Sequence, residues 1–376
     1  MSKQWILNSE KVIESVEGTL QKAYEENKDI HVNLDGESPV EIKSLKDDRE
    51  PYMVERSEIL FWVDRKAYYE EMEFCLLKHH EDAIEFIKQN ELKPVFKDFV
   101  DAIKKQRIVP FVGAGLSNPS GYPLWGDALK DISKKIDGLN HDEIAQKLKA
   151  YEYFDVAQIL WKKESAQVKS YIRNKFSEKH ITEDGPVGAI NYISNISNGC
   201  VVTTNFDGLI ESVIGKGNFQ GYMHGRQQGN KFVSKLIKGE RCIMKLHGDA
   251  DDFDTYVFTK EQYDEAYGDP LDFTRPLPKA LRQVYVTSSM VFLGCALEND
   301  MTLELFKLVM NYGEFDVPDH FAILPIPESG ETKNQKDARL NNLKIRAIWY
   351  PSRDHSFVEK YIKLALDIAT DRLRDF

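Results

Sequence analysis

Short, continuously apolar runs separated by helical patterns dominate the chain from about residue 96 onward. The runs that predict strands are RIVPFVG (107–113), CVVTTN (200–205), RCIMKLHG (241–248), MVFLGCA (290–296), HFAILP (320–325) and KIRAIWY (344–350). Because most of them are apolar throughout rather than alternating, they are typical of strands buried on both faces. The pattern therefore predicts an α/β fold in which helices cover a parallel sheet.

The segment between the first and second predicted strands is too long to be a simple loop. Almost 90 residues, from Leu116 to Gly199, carry mostly helical patterns. An insertion of that length is expected to fold as a helical subdomain, at about residues 125–198.

The first 95 residues differ in character from the rest. One helical pattern covers SEKVIESVEGTLQKAYEE, with Ser9 as its N-cap, and a second covers roughly Lys66 to Gln89; short apolar runs lie at HVNL and EILFWV. We therefore expect a small mixed α/β N-terminal domain over residues 1–95, ahead of a larger domain over residues 96–376. The His79-His80 pair is interpreted as a solvated helix feature, because no other metal ligands sit at a suitable spacing.

The net charge of −11 is concentrated in the N-terminal quarter. Residues 1–95 contain 22 acids and 13 bases, a balance of −9, which leaves −2 for the remainder (−11 + 9). An acidic surface of this kind disfavours direct nucleic-acid binding. It fits either a basic protein partner or a solvated face without a partner.

The sequence carries no targeting or membrane signal. It lacks an uninterrupted apolar window of about 18 residues that could span a membrane, and MSKQWILNSEKVIE has acids where a secretion signal needs an apolar core. The cysteines form no C-x-x-C pair, since they lie at positions 75, 200, 242 and 295. We therefore expect a cytoplasmic protein without a metal site and without zinc.

The first apolar run ends in Gly113-Ala114-Gly115, and Ser117 follows. A parallel strand that ends in Gly-x-Gly is the first half of a dinucleotide-binding turn, in which backbone N–H groups approach a pyrophosphate. Asn118 replaces the third glycine of G-x-G-x-x-G, so this motif alone fits a glycine turn without a ligand equally well.

Further apolar runs also end in polar or glycine positions. These positions are Thr204, Asn205 and Asp207 in VVTTNFDG, His247 in IMKLHGD, and Gly294, Cys295 and the later Asp300 in VFLGCALEND. Taken singly, Asn205 fits an Asx turn and His247 fits a core histidine bonded to a backbone carbonyl. Because the carboxyl ends of parallel strands meet at the edge of the sheet where ligands bind, the set together predicts a nucleotide cleft.

With these motifs in hand, the sequence resembles the sirtuin family, and specifically the bacterial sirtuin-like NAD hydrolases of anti-phage defence. The matching pieces are FVGAGLSNPSGYPLWGDAL, TTNFD, KLHGD, FLGCALEND and YPSRDHSFVEKYI, over about residues 97–376. The resemblance implies a Rossmann-like sheet that binds NAD⁺ as the substrate, with a smaller inserted module.

The resemblance also implies a role for each site residue. Gly113, Ala114, Gly115 and Ser117 would line the phosphate and ribose pocket, with Thr204 beside it, and Gly294 and Cys295 would lie by the adenosine. Asn205 would hold the nicotinamide ribose or the attacking water, and Asp207 would contact the nicotinamide side or orient Asn205. His247 would be the general base near the ribose hydroxyls.

The chain departs from the protein deacylases of that family at three places. Thr204 stands where they have Gln, Leu124-Trp125-Gly126 follows Pro123 where they have Asp-Phe-Arg, and their zinc-binding C-x-x-C pairs are absent. These departures argue against protein deacylation and leave the cleavage of a glycosidic bond intact.

Cleavage of the nicotinamide–ribose bond needs geometry and a proton acceptor, because neutral nicotinamide leaves without a general acid. An amide (Asn205), a carboxylate (Asp207) and an imidazole (His247) suit these tasks. We therefore expect hydrolysis of NAD⁺ to nicotinamide and ADP-ribose, which would deplete NAD in abortive defence. A deacylase or ADP-ribosyltransferase, and a non-catalytic sensor of NAD⁺ or ADP-ribose, stay open; an oxidoreductase is disfavoured because no second substrate site is visible.

The resemblance implies control by assembly, either as a homo-oligomer or with a HerA-type hexameric ATPase. The chain lacks the P-loop pattern G-x-x-x-x-G-K-[ST], so such an ATPase would be a separate polypeptide. Residues 1–95 fit an assembly or partner-docking module, and equally a passive addition packed on the core.

Overall fold

The computed structural model describes residues 11, 16–43, 50–177, 185–215, 217–225, 227–228, 231–298, 301–313, 316–328, 330–374 and 376. Ser9 and Asp300 lie outside these residues. The chain divides into two compact units, one formed by positions up to Glu85 together with those from Thr370, the other by Phe86–Ala369.

The smaller unit is mostly helical. After helical residues 16–25 it contains α1 (Lys28–Asp35), β1 (Val40–Ile42), β2 (Tyr52–Val54), α2 (Arg56–Val63), α3 (Arg65–His79) and then α4 (Glu81–Gln89), which leads into the larger unit. β1 and β2 pair antiparallel. Tyr68 is fully buried at its centre, where its hydroxyl bonds to the Nε2 atom of His31 at 2.8 Å. The unit is therefore a small mixed α/β domain, although HVNL and EILFWV lie in helices and not in its strands.

The helix predicted over Lys66 to Gln89 is two helices, which meet at His80. His80 is 2% exposed, and its ring lies 4.9 Å from that of the exposed His79. The interpretation of this pair as a solvated feature is wrong for His80, because His80 is buried at the point where α3 ends and α4 begins.

The larger unit alternates strands and helices. In chain order it contains α5 (Lys93–Lys104), β3 (Ile108–Val112), α6 (Ala114–Ser117), α7 (Trp125–Ser133), α8 (His141–Lys149), α9 (Tyr153–Phe176), α10 (Ile193–Ile196), β4 (Cys200–Thr203), α11 (Leu209–Ile214), β5 (Gly221–His224), β6 (Gln227–Gln228), α12 (Phe232–Ile237), β7 (Cys242–Lys245), α13 (Lys260–Tyr267), α14 (Pro276–Thr287), β8 (Ser289–Leu293), α15 (Met301–Tyr312), β9 (His320–Pro325), α16 (Lys333–Asn341), β10 (Ile345–Tyr350) and α17 (Ser356–Ala369). Each of the six predicted strands is present, and β5 and β6 are additional.

The strands form one sheet in the order β10-β9-β8-β3-β4-β7-β5-β6. All neighbours pair parallel except the edge pair β5 and β6. The strand order reverses at the centre, since β4 and β7 lie on one side of β3, and β8, β9 and β10 lie on the other. This is the doubly wound order of a Rossmann-type sheet, and the Rossmann-like fold prediction is confirmed.

The predicted insertion between β3 and β4 is helical, as α7, α8, α9 and α10 show. Two of its predicted helices, over YFDVAQILWKKE and AQVKSYIRNKF, form the single element α9 with a kink at Glu164, where φ is −155° and ψ is 72°. None of the helices in the described segments is both long and apolar enough to cross a membrane.

Candidate active site

The glycine turn after β3 packs directly on the turn after β8. The amide of Gly113 donates to the Leu293 carbonyl at 2.8 Å, and that of Gly115 donates to the Gly294 carbonyl at 3.0 Å. Gly294 has φ +68°, and a Cβ there would lie 2.4 Å from the Leu116 nitrogen. The glycines are therefore required for the contact between these two turns, in addition to any role toward a ligand.

The remaining predicted residues of these turns surround that contact. A Cβ on Gly113 would lie 2.7 Å from the Cys295 sulfur, and the Cys295 thiol lies 3.5 Å from the Leu293 carbonyl. Ala114 is half-buried at the start of α6. Thr204 donates its amide to the carbonyl of Val112, which ends β3, at 3.2 Å.

Asn205 joins the end of β4 to the glycine turn. Its Nδ2 atom donates to the Gly113 carbonyl at 3.1 Å and to the Ser117 hydroxyl at 2.9 Å. The backbone amide of Asn205 donates to the Thr203 hydroxyl at 3.0 Å, and that hydroxyl donates to the carbonyl of Val112 at 2.8 Å. Asn205 and Ser117 are both buried, so the side chain of Asn205 has a fixed place between β3 and β4.

Asp207 lies in the same buried loop. One of its carboxylate oxygens accepts the Leu209 amide at 3.1 Å, and Ser117 also hydrogen-bonds to it. Burial raises the pKa of the Asp207 carboxyl above its usual range, against the opposing effects of the Lys245 ammonium and of these hydrogen bonds. Ser117 therefore contacts both Asn205 and Asp207 from the turn after β3.

His247 occupies the corresponding position after β7. Thr203 and Lys245 are register partners in β4 and β7, so Asn205 and His247 each lie two residues beyond the same level of the sheet. The Nε2 atom of His247 and the Tyr263 hydroxyl are hydrogen-bonded. The imidazole is half-buried, unlike the buried amide of Asn205.

The surroundings of His247 are aromatic. Its ring lies 6.3 Å from Phe206, 6.3 Å from Trp125 and 5.5 Å from Tyr263, and Trp125 stacks on Phe206 with a centroid distance of 6.0 Å. Phe206 is the residue between Asn205 and Asp207. The candidate site thus has two halves, the Asn205–Asp207 loop and the aromatic surroundings of His247, and they meet at the ring of Phe206.

A buried charged network beneath the loop was not predicted from the sequence. Lys245 contacts two backbone carbonyls of the loop and the carboxylates of Glu211 and Asp249, and the Tyr222 hydroxyl bonds to the same two carboxylates. One signal was available, because a lysine at the end of the apolar run CIMK needs buried acceptors. Tyr222 and Tyr263 gave no such signal, since a strand and a helix elsewhere in the chain supply them.

The structure thus brings the predicted residues to one edge of the sheet. The turn residues after β3 contact those after β8 and β4, and His247 lies at the matching level after β7. Among the residues that the structure describes, no group of three or more His, Cys, Asp or Glu side chains is arranged to hold a metal ion.

Residues 199–348 match the family model of the SIR2-like domain. The predicted resemblance to the sirtuin family is therefore confirmed over this range. The matched range includes Asn205, Asp207 and His247, whereas the glycine turn after β3 precedes it.

The relatives of the chain include two proteins named NAD(+) hydrolase ThsA and one named Defense-associated sirtuin 2. The chain is 26% identical over 262 residues to the NAD(+) hydrolase ThsA of Acinetobacter baumannii (strain 532279), which covers 68% of this chain and 50% of that protein. It is 26% identical over 209 residues to the NAD(+) hydrolase ThsA of Enterococcus faecium, covering 54% of this chain and 40% of that protein. A third relative is the Defense-associated sirtuin 2 of Bacillus subtilis, 22% identical over 279 residues, covering 72% of this chain and 26% of that protein. The chain spans half or less of the length of each relative.

Proposed function

We propose that this chain is an NAD⁺ glycohydrolase that cleaves the nicotinamide–ribose bond and releases nicotinamide and ADP-ribose. The observation that carries the proposal is the placement of Asn205 and His247 at the same level after neighbouring strands, with Asn205 bonded to the glycine turn. The names of two relatives, NAD(+) hydrolase, support the same chemistry.

In this mechanism the glycine turn of residues 113–115 and Ser117 bind the phosphate and ribose portion of NAD⁺, with Thr204 beside them. Gly294 and Cys295 lie by the adenosine. The Nδ2 atom of Asn205 is held by the turn, which leaves its Oδ1 atom to orient a ribose hydroxyl or the attacking water.

His247 accepts the proton from that hydroxyl or water, which is the general-base role that an imidazole most often has in enzymes. Asp207 orients the loop next to Asn205 and places a carboxylate near the positive charge that develops on the ribose. The aromatic rings around His247 exclude water from the reacting bond.

The direct test incubates purified protein with NAD⁺ and quantifies nicotinamide and ADP-ribose by chromatography. Asn205→Ala and His247→Ala should each lower kcat about 100-fold or more, within the range for lost positioning and general-base residues. Asn174→Ala and His141→Ala are matched controls, because both residues are exposed on helices of the insertion, and they should keep full activity.

The product set distinguishes hydrolysis from transfer. Free ADP-ribose in equal amount to nicotinamide is expected. An acylated ADP-ribose from acetyl-lysine peptide, or ADP-ribose attached to protein, would instead make the chain a transferase. Binding of NAD⁺ without turnover would make it a sensor, and full activity of both alanine variants would remove the proposed site.

We further propose a cytoplasmic role in anti-phage defence, in which the protein assembles as an oligomer, with a HerA-type ATPase as the candidate partner. The name of one relative, Defense-associated sirtuin 2, supports the defence setting, and the acidic residues 1–95 are the docking module of this proposal. The test is co-expression with a neighbouring ATPase followed by size-exclusion chromatography. Co-elution with a rise in NAD⁺ cleavage is expected, and separate elution contradicts the pairing.

A further inference from the structure

Lys245 is a charged side chain with no solvent exposure at the end of β7. Its Nζ atom donates to the carbonyl of Phe206 at 3.0 Å and to that of Asp207 at 2.8 Å. These carbonyls belong to consecutive residues of the loop that begins at Asn205. A single ammonium group therefore fixes two adjacent peptide units of that loop.

The same ammonium is balanced by two acidic side chains. Its Nζ atom lies 3.1 Å from the Glu211 Oε1 atom and 3.0 Å from the Asp249 Oδ2 atom. Burial opposes the charge, but these carboxylates outweigh burial and raise the pKa of Lys245. Lys245 is therefore a cation at neutral pH, and its three N–H donors serve four acceptors.

Charge balance alone does not explain this lysine. Buried ion pairs contribute little net stability compared with apolar side chains of similar volume, because each charge loses its hydration. The two loop carbonyls, in contrast, require donors once they are buried, and an ammonium supplies both from one atom. The geometry thus gives Lys245 a task toward the loop in addition to the balance of charge.

The effect of that task reaches Asn205 through the backbone. The backbone amide of Asn205 donates to the Thr203 hydroxyl, and the carbonyls of the next two residues, Phe206 and Asp207, accept from Lys245. The side chain of Asn205 bonds to the turn after β3, so contacts that hold both ends of this short loop also favour that bond.

We propose that Lys245 is a positioning residue for NAD⁺ cleavage, which holds the Asn205–Asp207 loop in its reactive geometry by binding the Phe206 and Asp207 carbonyls. The inference rests on the proposed function, because the proposed function gives the Asn205–Asp207 loop its role in NAD⁺ cleavage. Lys245 itself does not touch the reacting atoms.

The test separates carbonyl binding from charge balance. Lys245→Met removes both, and it is expected to destabilise the protein because the carboxylates of Glu211 and Asp249 lose their counter-charge. The triple variant Lys245→Met/Glu211→Gln/Asp249→Asn removes the charges together and keeps side chains of similar volume, so it is expected to fold. Tyr222→Phe is the matched control, since the Tyr222 hydroxyl contacts the same two carboxylates and neither loop carbonyl.

The expected result for the triple variant is a kcat about 100-fold lower with KM within about 3-fold, because a misplaced group costs rate rather than binding. The deficit should be the same at pH 7 and pH 9. Hydrogen exchange at the amides of residues 204–209 should be at least about tenfold faster than in the wild type. Tyr222→Phe should change kcat by less than about 3-fold and leave the exchange unaltered.

Three outcomes would overturn the proposal. A triple variant with wild-type kcat would make Lys245 a counter-charge only. A deficit that disappears at pH 9 would assign the effect to protonation of Asp207, whose carboxyl pKa Lys245 lowers. Unchanged exchange at residues 204–209 would show that the loop does not depend on Lys245. This measurement does not require NAD⁺ cleavage. A wild-type protein that fails to cleave NAD⁺ would therefore refute the proposed function separately.

Discussion

The two halves of the candidate site are built in different ways. The Asn205–Asp207 loop is held by hydrogen bonds, from Thr203 and the glycine turn above and from the fully buried Lys245 below. His247, at the same level of the next strand, is half-buried among aromatic rings and is bonded to the Tyr263 hydroxyl.

This difference separates two physical requirements of the site. Hydrogen bonds to backbone groups specify the place of an amide in distance and direction, which suits a group that must orient a hydroxyl. Ring contacts constrain an imidazole more loosely and keep water away, which suits a group that must exchange a proton. We therefore expect variants on the polar side to change geometry, and variants on the aromatic side to change proton transfer.

The largest expected effect comes from the residue that both halves share. Phe206 is 2% exposed and contacts Trp125, Tyr256 and His247. Phe206→Ala should lower the free energy of unfolding by about 4 kcal/mol, because truncation of a buried Phe leaves a cavity between the halves. Chemical denaturation followed by far-UV circular dichroism measures this loss.

Phe253→Ala is the control for this substitution, since the Phe253 side chain is 47% exposed in the same unit. It should lower the free energy of unfolding by less than about 0.5 kcal/mol. If Phe206→Ala were as mild, the two halves of the site would not share a packed core at Phe206.

A smaller effect is expected on the aromatic side. Tyr263→Phe removes only the hydroxyl that bonds to the Nε2 atom of His247 and keeps the packed ring. The rate kcat should fall about tenfold, because the imidazole loses the partner that sets its orientation and tautomer. The unfolding midpoint should stay within about 3 °C of the wild type, as measured by differential scanning fluorimetry.

Tyr285→Phe is the matched control, because the Tyr285 hydroxyl is also buried but donates to the Leu343 carbonyl at 2.8 Å. It should leave kcat unchanged. A Tyr263→Phe enzyme with full kcat and an unaltered pH profile would show that the rings alone orient His247.

The sheet, and with it the edge at which the candidate site lies, could be predicted from the sequence, because strands buried on both faces leave continuous apolar runs. β5 could not, since Gly221–His224 is short and alternates buried and half-buried positions. Its absence from the prediction also hid Tyr222, and with it the network around Lys245. Side chains that meet across the fold leave no mark in local spacing.

The glycine turn shows a further limit of local patterns. Gly113 and Gly115 fit a turn that approaches a ligand, and their spacing indicates no second constraint. The structure adds one, because the turn after β8 approaches both residues too closely for a Cβ atom. Glycine is thus required at these two positions by packing, and the proposed binding role also favours it.

The smallest expected effect tests whether the polar half is optimised for function at the expense of stability. Burial raises the pKa of the Asp207 carboxyl, so the folded protein holds its proton to a higher pH than the unfolded chain, where the carboxyl pKa is near 3.9. Stability is therefore lost as the pH rises from that value through the folded pKa, and the ionised carboxylate is unfavourable at pH 7.

Asp207→Asn should raise the free energy of unfolding on the order of 1 kcal/mol at pH 7 and not at pH 3.5, while NAD⁺ cleavage falls. Denaturant titrations at both pH values measure the free energy of unfolding, with Asp137→Asn at an exposed position as the control. If Asp207→Asn were instead destabilised at pH 7, the ionised carboxylate of Asp207 would stabilise the loop.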